Sequence, residues 1–183
     1  MCAPPCQRRH PKTVARQRKF ILQLSPLEGK RSTPRAAELN ESMSFADLPP
    51  FAAWQFVDAV DGFEVVYLEP GRLRGHTSAV ADGSPYAVRY EITLDNHWRT
   101  RDVQVVSDTV AGSRETRLRS TGDGRWTVDG RRAPHLDRLD VDLEASACTN
   151  ALPIHRLALP PGEVVEAPAA YVRASDLSVI RLD

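Results

Sequence analysis

Three acidic side chains stand at alternate positions in the stretch DVDLEAS. Asp140, Asp142 and Glu144 have the spacing of one face of a β-strand, because successive side chains of a strand point to opposite faces. Of two such carboxylates, one can act as the general acid and the other as the general base of a hydrolysis. A row of acids is more often a solvated strand face, and Arg138 and Arg156 offer it ordinary ion-pair partners. We therefore favour ion pairing over catalysis for this row.

Four histidines and a serine beside one of them are further candidates for chemistry. His76, His97, His135 and His155 do not pair with another histidine or cysteine at the spacings that metal sites use. Ser78 follows His76 in GHTSA, but the glycine-flanked elbow that exposes a nucleophilic serine is missing. No glycine-rich phosphate-binding loop is present either. The sequence thus predicts a protein that is not an enzyme, with no catalytic residues, no metal and no cofactor.

Short hydrogen-bonding side chains are concentrated directly after the acidic row. Ser146, Thr149 and Asn150 are of the types that bond to nearby backbone and hold tight turns. If Arg156 and Asp142 share a face, the guanidinium can clamp the carboxylate with two parallel hydrogen bonds. The segment is therefore either a binding site or the scaffold of a corner between two strands. The residues by themselves favour the scaffold, because buried polar groups usually serve to satisfy one another.

From Trp54 onward the chain reads as short strands separated by turns. Residues 86–94 alternate between apolar and polar side chains, which is typical of a sheet with one covered face. Two-residue turns are predicted at Pro70–Gly71, Asp82–Gly83 and Asp129–Gly130. ALPIHRLAL, residues 151–159, is read as another strand that Pro153 confines to an edge or a bulge. With no long helical period visible, we predict an all-β fold of antiparallel strands.

Charge divides the 183 residues into two parts. Residues 1–42 hold nine Lys or Arg against three acids, although the whole chain has 24 of each sign. We predict a disordered basic tail over 1–43 and a β-domain over 44–183, with Met43 as an alternative start. A nucleic-acid-binding arm is disfavoured because aromatic residues do not interleave the basic ones.

No apolar run approaches the ~20 residues of a membrane span, and Cys2, Cys6 and Cys148 do not form a disulfide framework. The sequence predicts a cytoplasmic protein without nucleic-acid or integral membrane contacts.

Four blocks follow one another along the chain: GHTSA; a stretch with Tyr90, Ile92, Asp95, Trp98, Thr100 and Arg101; GRWTVDG; and LDVDLEASACTNALPIHRL. In this order and spacing they resemble the bacterial putative glycolipid-binding family, over about residues 54–182. The resemblance implies a spiral β-roll, which is a strongly curved antiparallel sheet around one helix. It also implies a homodimer, and a lipid or glycolipid as ligand.

The same resemblance suggests which residues meet the ligand. They are Trp98, Arg101, Trp126, Asp142, Thr149, Asn150 and Arg156. Members of the family continue for several more strands, whereas this sequence stops at Asp183, so we expect a domain that is incomplete at its C-terminus and has lost strands and the central helix.

Two functions remain in competition on the sequence. The leading one is binding of a lipid or glycolipid in an apolar cavity enclosed by the curved sheet, with tryptophans and polar side chains at its mouth. The alternative is a structural or protein-interaction domain whose interior is filled by its own side chains. An interior with an apolar cavity would favour the first function, and an interior filled by side chains would favour the second.

Overall fold

The computed structural model describes residues 48–56, 60–160 and 162–183, together with the short strand Ile21–Gln23 (β1). Eight further strands form one antiparallel sheet in which each strand pairs with the next along the chain. They are Phe51–Phe56 (β2), Val60–Glu69 (β3), Arg72–Ala81 (β4), Ser84–Leu94 (β5), Thr100–Thr109 (β6), Gly112–Ser120 (β7), Trp126–Val128 (β8) and Arg131–Arg132 (β9). Apart from β1, the tail predicted over 1–43 lies outside the described residues, so its disorder stays a prediction.

The sheet has one apolar face, which follows from the alternation in its strands. In β5, Val88 and Ile92 are almost completely buried while Arg89 between them is exposed. We call the buried side the inner face. Its side chains include Val66, Leu73, Val88, Ile92, Val103, Val105 and Leu118. The alternation predicted for residues 86–94 is confirmed.

The tight turns lie where the sequence placed them. Asp82 and Gly83 join β4 to β5 with φ angles of 49° and 74°, and Asp129 and Gly130 join β8 to β9 with 48° and 77°. Two consecutive positive φ angles define the hairpin turn whose twist matches that of the strands, and Asp-Gly tolerates this conformation best. Local sequence therefore fixes these hairpins.

A second layer covers the inner face. It contains the three-stranded sheet of Asp140–Leu143 (β10), Ala169–Val172 (β12) and Val179–Leu182 (β13), in which β10 and β12 are parallel. Val164–Glu166 (β11) pairs with β1. Hydrogen bonds between side chain and backbone join the layers: Thr77 Oγ1 donates to Ala145 O at 2.6 Å, and Ser107 Oγ donates to Ala174 O at 2.5 Å.

Residues 151–157 form a helix, so the strand expected for ALPIHRLAL is wrong. Helix α1, Ala151–Leu157, follows a 3-10 turn at Cys148–Asn150 and ends at Ala158, whose φ is 45°. Pro153 lies in the first turn, where a helix needs no backbone N–H from it. The run is too short for periodicity to distinguish a strand from a helix. Even with this helix, the all-β class is confirmed.

Side chains fill the space between the two layers. Trp126, Leu136, Val141, Leu152 and Val172 are each at most 2% exposed and pack with the inner face in one cluster. The apolar hollow expected from the sequence is thus occupied by core residues in the described part of the chain. No helix among the described residues is long and apolar enough to span a membrane.

Candidate functional site

The corner after β10 is held by its own short side chains. Thr149 Oγ1 donates a hydrogen bond to Asp142 Oδ1 at 2.8 Å and accepts one from Leu143 N at 3.3 Å. Asn150 Nδ2 donates to Ala147 O at 3.2 Å. These bonds satisfy buried polar groups within the corner, which agrees with the scaffold interpretation. Burial raises the pKa of Asp142, although the Thr149 hydroxyl acts in the opposite direction.

A completely buried carboxylate connects this corner to the sheet. Glu64 Oε1 accepts from the Tyr90 hydroxyl at 2.7 Å, and Glu64 Oε2 accepts from Ala147 N at 2.8 Å. Because the Tyr90 proton is used in that bond, the Ser146 hydroxyl is the donor in its own 2.9 Å contact with Tyr90. Burial, and then the charge of Glu64, raise the pKa of Tyr90. We call Glu64, Tyr90 and Ser146 the buried triad.

The sequence contained a signal for this triad that our sequence reasoning did not use. Glu64 and Val66 are two positions apart in β3, so their side chains point to the same inner face. The sequence therefore shows an acid at a buried position of the strand. Gly75 opposite Tyr90 makes room for the ring, because a Cβ there would lie 2.0 Å from Tyr90 Cζ.

A cavity of about 400 Å³ lies at the end of the sheet where β6 begins and β7 ends. Three parts of the chain line it: residues 99–101 at the start of β6, residues 120–124 between β7 and β8, and residues 138–140 with Arg156 of α1. Trp126 also contributes to its wall. We call this cavity the arginine pocket, because Arg99, Arg101, Arg138 and Arg156 all line it.

Two of the four arginines are neutralised by neighbouring acids. Arg156 holds Asp140 with its Nε at 2.9 Å from both carboxylate oxygens and its Nη2 at 2.7 Å from Oδ2. Arg101 Nη2 lies 3.0 Å from Asp95 Oδ2. Asp140 is therefore the partner of Arg156, which agrees with the ion pairing favoured for the acidic row. The clamp on Asp142, which required that residue to share a face with Arg156, is wrong. In a helix, residue 156 does not face the acid that a strand would have placed opposite it.

The electrostatics of Asp95 follow from the turn that it caps. Burial alone would raise its pKa, but backbone N–H groups of Arg99 and His97 and the charges of Arg101 and Arg99 lower the pKa below its usual value. Asp95 Oδ1 accepts from Arg99 N at 2.9 Å and from His97 N at 2.8 Å. The carboxylate consequently fixes the chain at the point where Arg99 enters the pocket.

Two buried polar atoms on the pocket-lining residues have no hydrogen-bond partner among the described residues. They are Thr100 Oγ1 and Trp126 Nε1, and the two residues are 4% and 1% exposed. Buried polar atoms are usually satisfied, so unpartnered ones are expected where a structure receives a ligand or water.

The structure divides the seven residues suggested by the resemblance. Arg101, Trp126 and Arg156 line the arginine pocket. Asp142, Thr149 and Asn150 line a separate space of only about 30 Å³, where their hydrogen bonds serve the corner. Trp98 lines neither of these two spaces, and its ring stacks on His155 with centroids 3.9 Å apart and an angle of 9°. Whether any of the seven binds a ligand stays a prediction.

Arg99 and Arg138 were not among the predicted binding residues, although both line the pocket. The signal in the sequence is the repeated arginine in WRTR, of which the resemblance suggests only Arg101. For Arg138 the sequence indicates only an ion pair with the acidic row. Within the described residues, no group of three or more His, Cys, Asp or Glu side chains could hold a metal ion.

Comparisons with known proteins agree with the fold. A family described as putative glycolipid-binding matches residues 51–183. A crystal structure of a DUF1089 family protein from Pseudomonas aeruginosa aligns with a TM-score of 0.62 and 27% sequence identity, over 78% of this chain and 76% of that one. Among curated proteins, none is similar enough to count as a match.

Proposed function

We propose that this chain, which belongs to the putative glycolipid-binding family, binds the polar, sugar-containing part of a glycolipid in the arginine pocket. The observation that carries the proposal is a cavity of about 400 Å³ whose lining combines arginine, aspartate, serine, threonine and tryptophan. Pockets that bind small molecules have volumes of roughly 300–1,000 Å³ and a few convergent polar groups. Guanidinium groups and hydroxyls are suited to sugar oxygens, which both donate and accept hydrogen bonds.

The filled interior supports recognition of the polar part over the acyl chain. The inner face packs against Val141, Leu152 and Val172 of the second layer, so the lipid tail would have to lie outside this core. The proposal therefore replaces the apolar cavity expected from the sequence with a polar pocket at the end of the sheet.

Binding without catalysis is part of the same proposal. The two carboxylates that line the pocket are both engaged: Asp140 is paired with Arg156, and Asp123 with Arg125. Hydrogen bonds from Thr121 and Arg125 lower the pKa of Asp123 to about 2. A general acid at neutral pH needs the opposite shift. We also propose a cytoplasmic location, because Cys148 is a buried free thiol and reducing compartments preserve thiols.

The test is to identify the lipid that copurifies with the protein. Purified full-length chain is analysed by native mass spectrometry, extracted with organic solvent and compared with Gly122→Leu. A Cβ at Gly122 would lie 3.5 Å from Arg101 Nη1, so the longer leucine side chain obstructs the pocket from an exposed turn. Ser113→Leu on β7, exposed and outside the pocket lining, is the matched control.

We expect a glycolipid in the wild-type and Ser113→Leu extracts and its loss from Gly122→Leu. Equal glycolipid recovery from all three proteins would mean that the pocket is not the site. The proposed function would be wrong if the wild-type protein neither copurifies with a glycolipid nor binds one added in detergent.

A second candidate function is a protein-interaction domain, because the interior is filled and an apolar patch faces outward. Phe51 on β2 and Tyr67 on β3 pair directly across the strands and are 61% and 48% exposed, and Phe63 on the same side is 51% exposed. Strand β2 is the edge of the sheet, where backbone groups can pair with another chain.

We propose a homodimer through this edge. Light scattering should give the mass of two chains for the wild type and of one for Phe51→Ser/Tyr67→Ser; a wild type that is monomeric at every concentration excludes it.

A further inference from the structure

We infer that the glycolipid headgroup bound in the arginine pocket carries a phosphate group, and that Arg99 and Arg138 bind it together. This inference rests on the proposed function, since it names the chemical class of the ligand of the same pocket. It depends on the charge of the pocket and on how the two arginines are held.

The lining of the pocket has an excess of positive charge. Four arginines and two aspartates line it, which gives a formal charge of +2. Two residues outside the lining pair with it: Asp95 neutralises Arg101, and Arg125 neutralises Asp123. Counting them adds one negative and one positive charge, so the formal charge stays at +2. A phosphate monoester carries about −1.5 to −2 charges at pH 7, which matches the excess. A neutral sugar would leave the excess to be compensated by water and dissolved ions.

The excess can be assigned to two particular side chains. Arg156 is occupied by Asp140 and Arg101 by Asp95. Among the described residues, neither Arg99 nor Arg138 has an ion pair within 4.0 Å, and both are exposed. A planar guanidinium offers a phosphate two parallel hydrogen bonds, so two free guanidinium groups can engage several of its oxygens at once.

Hydrogen bonds fix the backbone of each of these arginines, Arg138 to the opposite wall of the pocket and Arg99 to Asp95 of its own turn. Arg138 N donates to Gly124 O at 3.0 Å, and the Arg138 side chain passes so close to Gly124 that a Cβ there would lie 3.2 Å from Arg138 Cγ. Arg99 N donates to Asp95 Oδ1, and Arg99 O accepts from Asp95 N at 2.9 Å. The pocket thus presents two unpaired cations on an ordered backbone, which lowers the entropy lost on binding an anion.

The test compares probes that differ only in the phosphate group. Full-length protein is titrated calorimetrically with glucose and with glucose phosphorylated at its anomeric oxygen. We expect the phosphorylated sugar to bind at least about tenfold more tightly, and its affinity to fall as salt is added because ions screen exposed charges. Inorganic phosphate should compete with it at higher concentration.

Variants then locate the phosphate. Arg99→Gln and Arg138→Gln should each weaken binding of the phosphorylated sugar by about tenfold and binding of glucose by a clearly smaller factor, whereas Arg138→Lys should retain part of the affinity for the phosphorylated sugar. Arg89→Gln is the control, because Arg89 is exposed on β5 and does not line the pocket. All three positions are exposed, and equal thermal melting of the four variants checks the fold.

A lipid arm identifies the source of the phosphate. Phosphatidylcholine vesicles doped with phosphatidylinositol 4-phosphate, whose headgroup carries a phosphate monoester, bind the wild type but not Arg99→Gln/Arg138→Gln if the phosphate belongs to a lipid headgroup. Binding of the soluble sugar phosphate alone assigns the phosphate to a free ligand. Glucose binding as tightly as its phosphate overturns the inference and leaves the proposed function intact. If the protein binds none of these probes and no glycolipid, both the inference and the proposed function are wrong.

Discussion

The Tyr90 hydroxyl donates a 2.7 Å hydrogen bond to the carboxylate of Glu64, which is completely buried between the sheet and the corner that follows β10. The same carboxylate accepts from the backbone of Ala147, 83 residues further along the chain. One side chain of β3 therefore holds together two layers that the sequence separates widely. Removing it should reveal how much the fold depends on this connection.

Glu64→Ala should destabilise the protein strongly. It leaves the buried Tyr90 hydroxyl and the half-buried Ala147 N–H without their acceptor, which lowers the free energy of unfolding by roughly 2–4 kcal/mol. Urea denaturation measures this loss. Glu163→Ala, on an exposed residue, is the control and should change the free energy by less than about 0.5 kcal/mol. Equal effects of the two substitutions would contradict the role of Glu64.

Arg156 should be energetically coupled to Asp140 and not to Asp142. A double-mutant cycle with Arg156→Ala and Asp140→Ala should give a coupling of about 1–3 kcal/mol, because Asp140 is only 6% exposed and its charge is held by the guanidinium. The cycle with Asp142→Ala should give a coupling near zero, since Asp142 is bonded to Thr149. A larger coupling to Asp142 would favour the strand interpretation of residues 151–159.

Gly75→Ala should prevent correct packing of the sheet. The added Cβ would lie 2.0 Å from Tyr90 Cζ and 2.3 Å from its hydroxyl oxygen, so the ring must leave the buried triad. We expect a loss of at least about 2 kcal/mol or failure to accumulate folded protein. Gly122→Ala is the matched control, because its Cβ would come no closer than 3.5 Å to its nearest neighbour. A wild-type melting temperature for Gly75→Ala would show that Tyr90 can be displaced at little cost.

Cys148 should resist alkylation in the folded protein. Burial, and then the charge of Glu64, raise the pKa of its thiol to about 12, from 9.0 in an unfolded chain. With Cys2 and Cys6 replaced by serine, iodoacetamide at pH 9 should label the urea-unfolded chain rapidly and the native chain only as fast as it opens. Rapid labelling of the native chain would place the thiol at the surface.

The same pKa shift gives a pH dependence with a defined sign. Below pH 9 the thiol is protonated in both states, and its contribution to stability is complete. Between pH 9 and about 12 the unfolded chain releases the proton while the folded chain retains it, so stability falls as pH rises through this window. Cys148→Ala should lose stability less steeply over that range, as measured by urea denaturation at a series of pH values. Parallel pH profiles for the two proteins would contradict the shift.

Much of the sheet could be predicted from the sequence, because its determinants are local. The alternation through Tyr90 and Ile92 separates a buried face from a wet one, and Asp82–Gly83 permits the positive φ angles of a tight hairpin. Neighbouring strands are also neighbours in the chain, so local pairing was sufficient. Residues 151–157 were mistaken for a strand because seven residues carry too little periodicity, and a helix there depends on packing Leu152 into the core.

The sequence by itself determined the class of fold, the hairpins, and the polar character of the corner around Ser146 and Thr149. Only the tertiary structure decided that Glu64 braces this corner, that Asp140 is the partner of Arg156, and that Arg99 and Arg138 line one pocket. Alternation and turn chemistry act over a few residues and can be read along the chain. Ion pairs and cavities depend on which distant segments meet, and that is set by how the second layer packs on the sheet.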